Sequence, residues 1–471
     1  MSHKPGWGLF LFVLVMAAES AFGQSPCPTS VLQGANAKIS NDLICVMPQV
    51  YGPGGLVGSN NGGPLNPTHG HEVHFQASTV RSFEPINSEI GIELSQLPIA
   101  SPVAGFIFAG GAISPTESFG PVLTDRAETI GKHKLFIGAS YQYFNFDKVD
   151  GVDLKNFGVV LTHEPEPTLC STFPSIPCQN GQPIFTHDIV ATQNRIDLRV
   201  HQMTFVATYG LTGRWDVSVA VPVLDVRMAL TSSATIFNFE PPPVNHSLDL
   251  TTPVATESIP DPNDPYHAIF SNFHSKLGIG DVTLRTKLQA WQSQREGSAV
   301  AVGLDVRLPT GDAYSFLGAG TWGIRPFATF THSGRLSPHA TAGFEINGNS
   351  VLAGDVTTQP VTKSKLPDLF TYSAGADFSL ARRISLTGDF IGVSLLQAPK
   401  IVETTFTDYA GGVHDNISTV TSTVSELSVS AGGKLRLVGH LLLVGNVLFR
   451  VNDGGLHSKP APLAGLSYTF R

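Results

Sequence analysis

Three features of the 471-residue chain predict an all-β fold: a transmembrane antiparallel β-barrel of about 12 strands (range 12–14) with a Gly/Pro-rich N-terminal segment. From about residue 133, stretches of roughly 10–16 residues alternate apolar and polar side chains, the period of a strand with two different faces. The connections between these stretches alternate long and short. Charged residues make up only 14 % of the chain, against about 25 % in typical soluble domains.

The N-terminus sets the compartment. Lys4 precedes the apolar run "GLFLFVLVMAA", and "AFG" before Gln24 has the small-x-small form of a signal-peptidase site. Residues 1–23 therefore read as a removed secretory signal. No later stretch reaches the roughly 18 unbroken apolar residues that a membrane helix needs. The four cysteines suit an oxidising compartment. Of their three pairings, proximity favours Cys27–Cys45 and Cys170–Cys178, with the two pairs on opposite sides of the membrane. The second pair would close a small extracellular loop.

Residues 24–132 are rich in Gly, Pro and Asn and form a separate region that either fills a lumen or stays periplasmic. "NSEIGIELSQL" predicts one short helix, capped by Asn87, with Ile90, Leu94 and Leu97 on one face. "PVAGFIFAGG" reads as a further strand.

The barrel region spans 133–471. Its strands are expected at 133–146, 192–211, 214–231, 278–291, 298–309, 321–332, 337–348, 369–381, 383–396, 423–437, 440–451 and 461–470. In the fourth, Val282, Leu284, Leu288 and Ala290 share a face opposite Asp281, Thr283, Arg285, Lys287 and Gln289. In the fifth, Val300, Val302, Leu304, Val306 and Leu308 oppose Asp305 and Arg307. The second and third change phase near Gln202 and Pro222, which predicts bulges. The Gly-rich "SAGGKL" is a place where the wall would be weak.

The long connections are 147–191, 232–277, 310–320, 349–368, 397–422 and 452–460; the short ones include "TG", "SGRLS" and "VG". Long loops at one rim and tight turns at the other are the pattern of a bacterial outer-membrane barrel, and an even strand count returns both ends to the periplasmic side. Trp215, Trp291, Trp322 and Tyr209 fall near strand ends, and Tyr141, Tyr143, Tyr372 and Phe449 near the opposite ends, as interfacial girdles require. In the last strand Leu466, Tyr468 and Phe470 share the lipid face. A terminal Tyr-x-Phe resembles the signal read by the barrel-assembly machinery, although Arg471 follows the aromatic here. The expected partners are outer-membrane lipid, that machinery through Tyr468 and Phe470, and a small hydrophobic solute. The net charge of −8 offers no footprint for nucleic acid.

Two motif-bearing segments add a family. "LGIGDVTLRTKLQAW…GLDVRLPTGDAYSFLGAGTWGIRPF" (276–327) and "SFGPVLTDRAETIGKHKLFIGASYQYFNFDKVDG" (118–151) resemble the outer-membrane transporter family of the phenol-degradation meta-pathway. The resemblance covers roughly 86–471. It implies a barrel in the style of long-chain fatty-acid and aromatic-hydrocarbon channels.

Inward charges are the candidates for a transport path: Asp281, Arg285, Lys287, Asp305, Arg307, Asp377, Asp389, Glu426 and Arg450. With the turn centred near Arg295, Arg285 faces Asp305 and Thr283 faces Arg307, with Asp281 diagonal to Arg307. The competing structural reading is that alternating signs merely neutralise one another. "THGHEVH" holds His69, His71, His74 and Glu72, yet its Gly/Pro-rich setting favours solvated loop histidines over a metal site. "LPTGD" reads as a structured turn rather than an ion site through Asp312. No spacing selects a Ser-His-Asp set, so the chain is expected to be no enzyme and to need no cofactor. The functional expectation is passive uptake of small, hydrophobic or aromatic compounds. The alternatives are a structural or adhesive surface barrel and a general porin for polar solutes.

Overall fold

The computed structural model describes residues 125–470 except 166–169, 172–177, 240–245, 249–256, 262–263, 294–296, 357, 359 and 382. Before them it describes Cys27 and residues 39–52, 55–58, 74–97, 100–101, 107–109, 112–114 and 120–121. The signal-peptide reading of 1–23 and the histidines His69 and His71 lie outside the described residues.

Twelve antiparallel strands close into a barrel. They are β1 (Leu135–Val149), β2 (Ile189–Gly210), β3 (Trp215–Phe237), β4 (Asp264–Ile279 continued by Thr283–Gln292), β5 (Ser298–Arg307), β6 (Gly323–His332), β7 (Leu336–Asn347), β8 (Asp368–Ala381), β9 (Ile384–Thr407), β10 (Val413–Arg436), β11 (Leu441–Arg450) and β12 (Ala461–Phe470). Closure joins the ends of the region, with Phe470 opposite Leu135 and Leu463 opposite Gln142. Every strand then has two neighbours and no edge is left unpaired in lipid.

The outer face carries Ile137, Phe205, Trp215, Leu288, Trp291, Leu386, Leu466, Tyr468 and Phe470, all exposed, while Ser467 and Thr469 of β12 point inward and are buried. An apolar girdle around a closed barrel, with tight turns at one rim, places the protein in a bacterial outer membrane.

Several strands run past their expected ends. β9 and β10 extend to Thr407 and Val413, so the predicted loop 397–422 is mostly a two-stranded ribbon. β4 begins at Asp264 and absorbs part of the loop 232–277. These extensions rise beyond the bilayer, where neither face must be lipophilic, and so lose the alternation that marks a membrane strand.

The bulges expected at Gln202 and Pro222 do not occur between β2 and β3, which pair in unbroken register from Ile189–Phe237 to Gly210–Asp216. The change of phase has another cause. In the upper half of β2 the inward residues are Ile196, Leu198 and Val200, with Arg195, Asp197 and Arg199 outside. Lower down, Gln202 and Thr204 point inward, and Met203 and Phe205 outward. The wall inverts its polarity where it leaves the membrane, without any slip of register. The irregularity opposite Pro222 lies in β4, where residues 280–282 interrupt the strand. The ladder also runs intact through Gly432 and Gly433, so the wall is not opened at "SAGGKL".

Inside the barrel lie residues 39–52 and 74–97 of the N-terminal region. Helix α1 (Gln76–Leu94) starts eleven residues before the expected cap and contains Pro85. Pro85 removes one donor from the helical ladder, but burial of Phe83, Ile86, Ile90 and Leu94 holds the helix. Asn87 is an interior residue whose amide donates to the Ile44 carbonyl (2.9 Å). Within "PVAGFIFAGG" the described part is a strand, Ile107–Ala109, paired with Ala112–Ser114.

The disulfides are Cys27–Cys45 and Cys170–Cys178. They do not lie on opposite sides of the membrane. Cys45 is buried in the upper lumen, next to Val46, whose carbonyl accepts from Asn272 of β4 (3.1 Å).

Residues 125–134 descend the lower lumen and join the wall where His133 N–H donates to the Gly210 carbonyl (2.7 Å). A Cβ on Gly210 would collide with the carbonyl oxygen of Gly131. Gly210→Ala should therefore lower barrel stability by about 1–3 kcal/mol, the usual cost of overpacking. The reading is the temperature at which the barrel loses its fast-migrating form in SDS gels.

Candidate functional site

The lower lumen is an ionic network built on alternate residues of the wall. Arg285 of β4 stands opposite Asp305 of β5, and Thr283 opposite Arg307, the register that the turn implies. The Arg285 guanidinium donates to both Asp305 oxygens (2.6 and 2.9 Å), and Arg325 of β6 donates to the same carboxylate (2.5 Å). Asp281 is diagonal to Arg307 at 3.5 Å. Arg307 also reaches Glu345 (3.0 Å) and Asn347 (2.5 Å). Across the barrel, Lys434 pairs with Asp377 (2.5 Å), His339 with Asp389 (2.8 Å) and Arg450 with Glu426 (2.5 Å).

The inner segment completes this network. Asp125 accepts from Arg285 (2.6 Å) and lies 3.4 Å from Lys287, whose ammonium also donates to the Arg126 carbonyl (2.8 Å). Arg126 bonds Asp377 from the opposite side. Asp125 and Arg126 thus bridge two walls of the barrel with opposite charges. Backbone donors add to this seat: Ala127 N–H to Thr331 (3.0 Å) and Ile130 N–H to Asp216 (2.9 Å).

All nine candidate charges face the interior: Asp281, Arg285, Lys287, Asp305, Arg307, Asp377, Asp389, Glu426 and Arg450. Missing from that set were Arg325, His339, Glu345 and Lys434. Arg325 and His339 do share the inward phase of their strands, but Arg325 alternates with buried Phe327, which hid the polar face. Asp125 and Arg126 lie on no strand, so no periodicity marks them.

Asp281 has a further part. Its carboxylate accepts from Gly311 N–H (2.9 Å) and Ala319 N–H (2.7 Å), and folds the 308–322 loop back over the lumen. Thr310 hydroxyl bonds the Gly280 carbonyl and accepts from Val282 N–H (2.8 and 2.9 Å). The "GDV" and "LPTGD" motifs are two halves of one turn. Asp312 caps a short helical turn by accepting from Tyr314 N–H (3.1 Å).

Above the network, between the C-terminal end of α1 and strands β1, β9, β10 and β11, lies a small, partly open cavity of about 50 Å³. Phe144, Phe146, Ile391, Val393, Leu448 and Leu456 form its apolar wall; Phe144 and Phe146 stack with ring centroids 5.8 Å apart. Glu93 and Gln96 of α1, with Glu426 and Arg450 of the barrel, supply its polar side. Burial first, and then the charge of Glu426, holds the Glu93 carboxyl well above the ordinary carboxylate range. Burial, followed by Asp150 and Glu426, does the same to Glu89.

The first described histidine of "THGHEVH" also departs from the loop reading. His74 is buried and lies against His163 and His246.

Residues 192–392 match the family model described as "Putative MetA-pathway of phenol degradation". The matched stretch runs from β2 into β9 and includes the Asp281 turn. Among solved structures, an outer-membrane channel from Pseudomonas putida F1 is 10 % identical, with a TM-score of 0.41, covering 73 % of this chain and 98 % of that one. A FadL homologue from Pseudomonas aeruginosa is 11 % identical, with a TM-score of 0.30, covering 73 % and 91 %. No curated protein matches the chain. The matched stretch contains most of the ionic network; the cavity is shared with strands outside it.

Removing Asp305 would leave Arg285 and Arg325 facing each other in a buried site. Asp305→Ala should cost about 3–5 kcal/mol, as expected for breaking a buried ion pair. Adding Arg285→Ala should recover part of that loss, a non-additivity that a double-mutant cycle in denaturant would measure. A second prediction follows from the raised carboxyls on α1. A raised acid contributes stability that is complete below its ordinary pKa, 4.5 for Glu93, and is lost as pH rises through the raised value. The protection of α1 amides, corrected for intrinsic base-catalysed exchange, should therefore fall as pH rises above 4.5, and Glu93→Gln should flatten that dependence.

Proposed function

We propose that this outer-membrane channel-type barrel admits small, hydrophobic or aromatic compounds bearing one polar group, by passive diffusion. The observation that carries this reading is the lumenal cavity. Its aromatic and aliphatic wall suits an apolar body, and Glu426 and Arg450 on one side suit a hydroxyl or carbonyl, the usual composition of a small-molecule site. The family description over 192–392 agrees in substrate class, since phenol has this form.

A general porin needs a water-filled bore. Residues 125–130 cross the lower lumen, bound to both walls through Asp125 and Arg126, and α1 occupies the upper part. In this reading the N-terminal region is a plug, and the ionic contacts of Asp125 and Arg126 are its release point. Tyr468 and Phe470 would serve assembly, because they face outward on the strand that closes the barrel.

The test is a liposome assay comparing phenol or toluene uptake with swelling in sugars. Uptake of the aromatic solutes with little swelling in sugars is expected; sugar swelling at porin rates would sink the proposal. Val393→Trp, which fills the cavity, should reduce aromatic uptake several-fold and leave the cold-SDS mobility of the barrel intact. Arg126→Ala should raise sugar permeability, because it frees the plug from the Asp377 wall.

A further inference from the structure

Outside the cavity and the ionic network, three imidazoles converge in the upper lumen. His74 lies just before α1, His163 follows the short strand Phe157–Thr162, and His246 lies between β3 and β4. All three are buried. His74 Nδ1 is 2.7 Å from His163 Nε2 and 2.9 Å from His246 Nε2, and the three ligand atoms lie within 4.8 Å of one another.

Proton bookkeeping makes this arrangement unusual. His163 Nδ1 faces the Glu164 carbonyl at 2.5 Å, so it carries a hydrogen, and a neutral His163 presents a lone pair at Nε2. His246 Nδ1 faces a carboxylate oxygen of Asp188 at 2.7 Å, with the same consequence at its Nε2. Both lone pairs then point at one nitrogen, His74 Nδ1, which carries at most one hydrogen. With neutral rings, at least one of the two close contacts has no proton in it. A cation between the three nitrogens would accept all three lone pairs.

The surroundings are those of a supported metal site. Asp188 orients His246 and is itself fixed by Phe239 N–H (2.8 Å), the carboxylate–histidine–metal relay. His246 is clamped through its backbone by Asn238, donor and acceptor both (2.8 and 3.0 Å). The Glu164 N–H donates to the His74 carbonyl (2.9 Å). Phe75 and Phe185 pack against the rings, with Phe75 centroids 5.5 Å from His163 and 5.4 Å from His246. Three imidazoles, with no carboxylate ligand among the described residues, suit zinc-class divalent ions and not calcium or magnesium.

We propose that His74, His163 and His246 bind one zinc-class divalent ion, which staples the start of α1 to two segments at the extracellular end of the barrel. Tetrahedral zinc at about 2.0–2.1 Å from each nitrogen sets them about 3.3 Å apart, so His74 would retreat from each neighbour by about half an ångström while His163 and His246, within 4.8 Å of one another, adjust to the same spacing. The ion ties down the upper end of the inner region, as Asp125 and Arg126 tie its lower end. The inference does not depend on which solute the barrel passes.

The full-length, tag-free protein in detergent is stripped with a chelator and then equilibrated with Zn²⁺ and, separately, with Co²⁺. One zinc per chain by atomic absorption is expected, with the visible absorption of a tetrahedral nitrogen-ligated Co²⁺ site. Zinc should raise the thermal midpoint of the wild type. Asp188→Asn should weaken zinc binding about 10–100-fold, His246→Gln should abolish it, and His332→Gln, at the periplasmic end, should retain it. The cold-SDS mobility shift reports that each variant is folded. Equal zinc binding by wild type and His246→Gln, or a wild type that retains no stoichiometric zinc and gives no such Co²⁺ spectrum, overturns the proposal. The wild-type Co²⁺ spectrum decides the matter if His246→Gln fails to fold.

Discussion

Charge turned into a closed barrel has to be neutralised within it. The lipid outside accepts only apolar side chains, so each membrane strand directs its polar residues inward, and an ion without a counter-ion in that confined space is costly. Asp305 satisfies two arginines at once, and Asp125 and Arg126 compensate charges that the wall alone leaves in excess. The inner segment is in that sense a structural member of the barrel, because Arg285, Lys287 and Asp377 are only fully paired when it is in place.

The same constraint relaxes above the membrane. There the wall is a two-faced sheet in water, and its polarity inverts: Ile196, Leu198, Val200, Val226, Met228 and Leu230 turn inward, while Arg195, Arg199 and Arg227 take the outside. α1 and the Leu43–Cys45 turn fill this upper chamber as a hydrophobic core. Two kinds of lumen are therefore stacked in one barrel, ionic below and apolar above. The cavity lies where they meet, which is why Phe144 and Phe146 can share it with Glu426 and Arg450.

The loop that folds over the lumen depends on a single carboxylate. Asp281 sits at the break in β4 and accepts backbone donors from Gly311 and Ala319 while balancing Arg307. A motif that reads in sequence as two unrelated pieces is one hydrogen-bonded turn. Gly91 of α1 packs against this loop so closely that a Cβ would come within 2.9 Å of Phe316 Cε1. Loop, helix and wall are thus in direct contact at the extracellular end.

The sequence by itself determined the barrel, its twelve strands, the rim at which its tight turns lie and the inward charges from Asp281 to Arg450, because a membrane wall imposes a period of two that any single strand reveals. It also carried the Arg285–Asp305 register, since a short turn leaves few alternatives. The extended strand tops were illegible because that period disappears outside the bilayer. Bulges were inferred at Gln202 and Pro222 because an inversion of polarity and a slip of register look alike in a one-dimensional pattern. Only the tertiary structure decided where α1 starts, that Asp125 and Arg126 complete the ionic network, and that His74, His163 and His246 meet. Those contacts join positions far apart in the chain, where no local spacing records which side chains share a space.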